Sequence, residues 1–311
     1  MNTIIQNIYY GIEPFIARKW LLYLRRHYVT YKKLLHTIDW PILEDAARPP
    51  LHWTGWPGGK QFALVLTHDV DTRRGQDKCH QLICLEEKLG FRSSFNFVPE
   101  DYVVDDTLRE YLVEHGFEVG VHGLKHKGNM FRSKIVFLGM VAKINHYLDS
   151  WKAVGFRAPS MYHNLEWIQQ LNIKYDSSTF DTDPFEPQPD GVGTVFPFLF
   201  QKDTSRPGYI ELPYTLPQDF ALFIMMGEKC IDIWKKKLDW ISRKGGMALI
   251  NTHPDYLYFG HEKPGIDEYP SRFYEEFLEY AKSAYAGHFW HALPRDVADF
   301  WEGRSTLEAI P

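Results

Sequence analysis

The sequence predicts an α/β fold, a distorted (β/α) barrel of seven or eight strands with an N-terminal helical extension, and three observations predict it. From Gln61 onward, short apolar runs alternate with segments of helical period, the pattern of parallel strands joined by crossover helices. Seven or eight such runs fit a barrel better than a six-stranded open sheet. Candidate ligands and acid–base residues fall at the C-terminal ends of successive runs, the edge where barrels of this class carry their chemistry.

The elements follow in order. Residues Glu13 to Ile38 read as a helix, with Phe15, Ile16, Trp20, Leu24, Tyr28, Tyr31 and Leu35 at helical spacing. Arg18, Lys19, Arg25, Arg26, Lys32 and Lys33 give that helix a basic side. Such a helix either packs on the barrel with its basic face in solvent or lies on an anionic membrane surface, and the first is favoured. Residues 47–60, rich in Pro, Gly and Trp, read as a loop, so the chain divides into an extension over 1–57 and a catalytic domain over 58–311. Strands are expected at Phe62–Thr67, Ser94–Val98, Phe117–His122, Gly155–Arg157, Ile173–Asp176, Tyr209–Pro213, Met247–Thr252 and Phe289–Leu293. Helices are expected at Gln76–Leu89, Asp106–His115, Met130–Trp151, Asn164–Leu171, Glu228–Lys244, Tyr269–Tyr285 and Pro294–Trp301.

Composition bounds the function. The 311 residues are 44% hydrophobic and 16% aromatic, enough for one large core. A net charge of -5 argues against a nucleic-acid partner. Three cysteines, Cys79, Cys84 and Cys230, make no disulfide framework. Cys79, His80 and Cys84 lie close together, but no second ligand pair follows, and buried helical side chains are the expectation. Met1 to Tyr10 lacks the pattern of an export signal, and no run is long enough for a membrane span, so a cytoplasmic location is expected.

Four clusters carry the chemistry. After FALVLT comes Thr67-His68-Asp69-Val70-Asp71, where one carboxylate can bind a metal while the other serves as a base. An Asx turn or a helix cap is the competing explanation. After FEVGVH comes His122-Gly123-Leu124-Lys125-His126, whose histidines at i and i+4 converge on one metal if the segment makes a helical turn. Asp71, His122 and His126 together leave coordination positions open for water and substrate. Gly155-Phe156-Arg157-Ala158-Pro159-Ser160 offers an Arg that either holds a buried carboxylate ionised or makes a structural salt bridge. Ile250-Asn251-Thr252-His253-Pro254-Asp255 offers a His that either protonates a leaving amine or is an ordinary buried histidine.

T-H-D-V-D, H-G-L-K-H, G-F-R-A-P-S and I-N-T-H, in this order, resemble the motifs of the polysaccharide deacetylase family, carbohydrate esterase family four, over Phe62 to Trp301. The resemblance implies a distorted barrel and metal-dependent removal of an acetyl group from an N-acetylated sugar. It implies Asp69 as base, Asp71, His122 and His126 as ligands of a divalent ion (zinc first, with cobalt, nickel or manganese as alternatives), Arg157 as the support of Asp69 and His253 as general acid. Asp176, in Tyr175-Asp176-Ser177-Ser178, is implied as a supporting residue. Three departures stand out: Val70 separates aspartates that are usually adjacent, His68 replaces an aromatic, and Ser160 follows Arg-Ala-Pro where an aromatic is usual. The spaced form occurs in exopolysaccharide-associated members and in some acting on small amides. A small-amide hydrolase of the same fold and a non-catalytic carbohydrate-binding protein are therefore the alternatives. Residues 180–217, Trp290, Asp255 and Tyr256 are candidates for the pocket rim.

Overall fold

The computed structural model describes residues 18–35 and 40–308. The N-terminal stretch read for an export signal, and Phe15, Ile16 and residues 36–38 of the expected first helix, lie outside the described residues.

Strand β1, Phe62–Val70, is buried along its whole length and is the axis of the sheet. A strand covered on both faces is apolar throughout rather than alternating. FALVL meets that rule, and polar residues enter only at the C-terminal end, Thr67-His68-Asp69. Strands β2 (Ser94–Phe97), β3 (Glu118–His122), β4 (Gly155–Arg157) and β5 (Tyr175–Asp176) follow in parallel on one side. A short β6, Phe198–Phe200, pairs antiparallel with β7, Tyr209–Glu211, which is itself parallel to β5. Strand β8, Met247–Thr252, pairs in parallel with the other edge of β1.

The chain leaving β7 closes the sheet on itself. Leu216 bridges Ile250 of β8 in parallel, and the N–H groups of Thr215 and Leu216 donate to the Leu249 carbonyl. A parallel ring of β1, β2, β3, β4, β5, β7 and β8 results, a distorted barrel. Two short strands, β9 (Leu257–Tyr258) and β10 (Tyr269–Pro270), make a separate pair. The last strand, β11 (Phe289–His291), pairs with Phe62–Leu64, the amino-terminal half of β1, whereas β2 pairs with Thr67–Val70.

Helices cover the ring. They are α1 (Arg18–Leu35), α2 (Arg73–Leu89), α3 (Asp106–Glu114), α4 (Lys134–Trp151), α5 (Leu165–Ile168), α6 (Asp232–Lys244), α7 (Arg272–Ala284) and α8 (Pro294–Glu308). Their ends follow local chemistry: Ser133 and Asn164 cap α4 and α5 through side-chain oxygens, and Gly90 and Gly245 end α2 and α6 in the left-handed region. Four expected helices are shorter than their apolar period suggested. The fourth starts at Lys134 rather than Met130. The fifth is one turn long. The sixth starts at Asp232, because residues Phe220–Met226 form a π-helical turn that ends at Gly227. The seventh starts at Arg272, because Tyr269-Pro270 pairs with β9.

Helix α1 packs on the barrel through Leu22 and Val29, as expected, but Arg26, Lys32 and Lys33 of its basic side reach the barrel rather than solvent. Arg26 donates to the carbonyls of Ile224 and Ile266, Lys32 donates to Pro184, and Lys33 pairs with Glu228. Trp20, Tyr23, Leu24, Tyr28 and Tyr31 are exposed instead. Long Lys and Arg stems can reach sideways to a polar barrel surface, which leaves the rings outward.

Candidate active site

Asp69 is the next-to-last residue of β1, and Asp71 follows its last residue, Val70. Side chains two apart on a strand share a face, so both carboxylates turn into the barrel mouth while His68 and Val70 turn outward. His68 is fully buried there, its ring nitrogens 2.7 Å from Thr252 Oγ1 and 2.9 Å from Glu86 Oε1. Helix α2 is capped at Thr72, whose side chain makes no capping bond, so neither aspartate is a helix cap.

Asp71, His122 and His126 come together. Asp71 Oδ1 is 3.5 Å from His122 Nε2 and 3.4 Å from His126 Nε2, and one ligand atom from each residue lies within 4.8 Å of the others. Two atoms each roughly 2.1 Å from one tetrahedral ion stand about 3.4 Å apart. Asp71 Oδ1 is also a buried oxygen with no hydrogen-bond partner, an expensive state unless a cation meets it. The residues therefore fit a divalent ion. His122 Nδ1 lies 3.0 Å from the Arg157 carbonyl and donates to it, which leaves Nε2 as the lone-pair side. Burial pulls the His126 imidazole down, outweighing Asp71, so the neutral form that binds metals is favoured. Burial also opposes a charged His122, but Asp69 and Asp71 outweigh it and leave that ring raised.

The expected helical turn between the two histidines is absent. His122 ends β3, and Gly123 turns the chain at φ 65°. A Cβ at Gly123 would stand 2.6 Å from Pro159 Cγ, so glycine is required for space as well as for backbone freedom. His126 is held by its backbone N–H, which donates to Asp101 Oδ2 at 2.6 Å.

Asp69 is 2% exposed and every approach to it is a donor. Its Oδ1 accepts from Asn96 Nδ2 at 2.9 Å and lies 3.2 Å from Arg157 Nη1, and its Oδ2 accepts from Asn251 Nδ2 at 2.8 Å. Burial raises a carboxyl, but the charges of Arg157, His122 and His253, with the Asn96 bond, outweigh it and hold Asp69 well below the usual range. Gly120, paired with Asn96 across β2 and β3, makes room: a Cβ there would stand 2.1 Å from Asn96 Oδ1. Arg157 is fully buried and also donates to Thr67 Oγ1, Asn251 Oδ1, and the Ser177 carbonyl and hydroxyl.

His253 faces the same carboxylate, with Nε2 4.0 Å from Asp69 Oδ2. Its Nδ1 is 2.7 Å from Asp219 Oδ1, its backbone N–H donates to Asp219 Oδ2, and Tyr269 OH donates to that oxygen at 3.0 Å. Burial pulls the imidazole down, but Asp219, then Asp71 and Asp69, push it up to about 10. At neutral pH this ring is a cation with its Nε2 proton toward the mouth.

The other sequence candidates separate. Asp255 is not a rim residue: it is buried, accepts from the Asp71 N–H at 3.0 Å and bonds the Thr72 hydroxyl. Tyr256 has its ring 5.1 Å from that of His253. Trp290 lies on β11, beside the opposite end of β1, tilted against Trp56 and edge-on to Phe300, so it does not reach the mouth. Asp176 is buried behind Arg157, bonded to Ser178. Of the cysteine cluster only Cys79 is buried; Cys84 and His80 are exposed, a correction that follows from the helix placing them on its outer side. Sequence reasoning missed Asn96, Asp219 and the role of Asn251. Asn251 stood inside the fourth motif, while Asp219 caps a π-helical turn that has no sequence signature.

No protein-family model matches the chain, and no curated protein sequence does. Solved structures do. A Mycobacterium smegmatis protein described as a polysaccharide deacetylase superposes with a TM-score of 0.64 at 17% identity, covering 83% of this chain and 96% of its own. A Pseudomonas aeruginosa PAO1 protein described in the same way gives 0.61 at 16%, covering 79% and 92%. Puue allantoinase gives 0.62 at 16%, covering 86% and 98%. With its parallel ring closed at Leu216 and its ligand-bearing mouth, the chain has the fold of the polysaccharide deacetylases.

Proposed function

We propose that the protein is a metal-dependent hydrolase that removes the acetyl group of an N-acetylated sugar, in surface polysaccharide or glycan metabolism. The observation that carries this reading is the division of labour around the barrel mouth: an unpartnered Asp71 oxygen flanked by two imidazoles, an Asp69 held ionised by its donors, and a His253 whose pKa Asp219 raises on the far side. Asp71, His122 and His126 would hold the ion, and the donor set suits zinc, with cobalt, nickel or manganese able to substitute. Such an ion supplies Lewis acidity, lowering the pKa of a bound water toward roughly 7 and polarising the acetyl carbonyl.

The chain's own residues do the rest. Asp69 accepts the proton of the attacking water. Arg157, Asn96 and Asn251 keep that carboxylate charged and aimed, since a neutral acid cannot take the proton. His253, held by Asp219, gives its Nε2 proton to the leaving nitrogen, which departs as the amine while acetate forms. The test is acetate release from N-acetylated sugars and chitooligomers after chelation and metal add-back. A protein that binds no metal and releases no acetate would end this account and favour a non-catalytic carbohydrate-binding role, and one that releases acetate equally well after chelation would overturn the metal dependence.

One observation favours a second reading, a hydrolase of small amides: the allantoinase structure superposes as well as the deacetylases do. A parallel screen with small cyclic and acyclic amides separates the two. The setting belongs to the same proposal. Three free cysteines suit the reducing cytoplasm. The exposed rings of α1 suit peripheral contact with the inner face of a membrane, although Arg26, Lys32 and Lys33 are engaged on the barrel. Flotation with anionic vesicles checks that contact, and failure to float while neutral controls behave alike removes it.

A further inference from the structure

Beyond the mouth, a second polar cluster reaches Asp69 through an unbroken chain of hydrogen bonds. Asn251 Nδ2 has two protons. One goes to Asp69 Oδ2 at 2.8 Å, and the other points to Gln218 Oε1 at 3.3 Å. Asn251 Oδ1 is occupied by Arg157 Nη1 at 2.7 Å, so the amide cannot rotate without losing an acceptor and facing a donor with a donor. Gln218 in turn donates Nε2–H to Glu186 Oε1 at 2.6 Å. That carboxyl oxygen lies 2.7 Å from Tyr214 OH, which is also 3.1 Å from Asp183 Oδ2, and Asp183 Oδ1 accepts the Phe185 N–H at 2.9 Å.

The direction of this chain is set at both ends, by Arg157 at Asn251 and by Glu186 at Gln218. Glu186 Oε1 accepts from Gln218 Nε2, so the Gln218 amide turns its nitrogen to Glu186 and its oxygen to Asn251. An amide turned the other way would place two N–H groups against each other at Asn251. Tyr214 and Gln218 flank Leu216, the residue that closes the ring on β8, so the barrel's closure carries the relay. Burial, then the charge of Asp183, pushes Glu186 up to about 8, so at neutral pH the pair does not set two full negative charges beside the base.

We propose that Glu186 is a positioning residue for Asp69: it fixes the polarity of Gln218, Gln218 fixes Asn251, and Asn251 holds the carboxylate in the orientation from which it accepts a proton. The inference rests on Asp69 being the base, yet it is testable without turnover. The first measurement is solvent exchange of the Asn251 side-chain amide protons in the full-length, metal-free chain labelled with 15N-asparagine. Glu186→Met and Gln218→Met should each speed that exchange about 10-fold, while Glu186→Gln, which keeps an acceptor for Gln218, should leave it within about 2-fold of wild type. The second is steady-state kinetics with added Zn2+ on an N-acetylated chitooligomer. Both Met variants should lose about 10-fold in kcat with KM held within about 2-fold, the double variant should be no worse than Gln218→Met alone, and Glu186→Gln should restore most of the loss. Unchanged Asn251 exchange in Glu186→Met overturns the relay. Additive losses in the double variant overturn it too. If the exchange results hold but the wild type releases no acetate, the relay stands and the deacetylase reading falls.

Discussion

Two carboxylates two residues apart on one strand have been given opposite surroundings. Asp69 has a donor at every oxygen: Asn96, Arg157 and Asn251. Asp71 has its backbone N–H bonded to Asp255, but its Oδ1 meets no donor and faces two imidazole nitrogens at 3.4 and 3.5 Å. Both are buried, and burial alone would neutralise both. Neighbouring charges nevertheless hold both below the usual carboxylate range, Asp69 chiefly through Arg157 and Asp71 chiefly through His126, so the difference lies in the hydrogen bonding: the first has a donor at each oxygen and the second keeps one oxygen bare toward the imidazoles. That difference is what a base and a ligand require of otherwise identical side chains.

The largest effect that sharpens this contrast is expected at Asp71. Asp71→Ala should abolish zinc binding at micromolar concentration in calorimetry, and turnover with it, and His126→Ala should do the same. Wild-type affinity in purified His126→Ala would break the ligand assignment. Asp69→Asn should instead bind zinc normally and lose kcat by about 10³-fold, the scale of a general base. Should both aspartate variants lose metal alike, the two sites are not distinct.

Arg157→Met is expected to act on stability as well as activity. It strands the Asp69 carboxylate without its buried partner, a change that costs about 3–5 kcal/mol, readable as a lower urea midpoint. Asp69→Asn in that background should recover part of the loss, because no charge is then left behind.

A pH effect follows at His253. Its folded value, about 10, lies above the ordinary 6.5. The raised value means that this imidazolium contributes stability fully below about pH 6.5, and that the contribution fades as pH rises through about 10. Melting of the metal-free protein should therefore weaken between those limits, and Asp219→Asn should flatten the decline. Asp69, depressed rather than raised, works in the other direction: its contribution is present above the ordinary carboxylate range and is lost only in strong acid. The smallest expected effect is Asn96→Ala, which removes one of the donors to Asp69 and should lower kcat about 10-fold with zinc affinity unchanged.

Much of this site was legible in the residue string. Continuous apolar runs located the β1 and β8 strands, because strands buried on both faces must be apolar. Asp71, His122 and His126 were found because ligand chemistry restricts residue type and because strand ends share one rim. The helical turn between the histidines was not found, since a glycine at positive φ, fitted against Pro159, replaced it. Likewise the basic face of α1 was expected in solvent, but its charges found backbone carbonyls and Glu228 on the barrel, a choice that depends on what lies opposite.

By itself the sequence determined the alternation of strand and helix, the residues that can bind a cation, and the spacing that turns Asp69 and Asp71 to one face. Tertiary structure alone decided which donors reach which oxygen. Asn96, Asp219, Asn251 and Glu186 come from four separate parts of the chain, and their influence depends on distance and on the exclusion of water. Both are properties of the closed barrel, and no local stretch of residues encodes them.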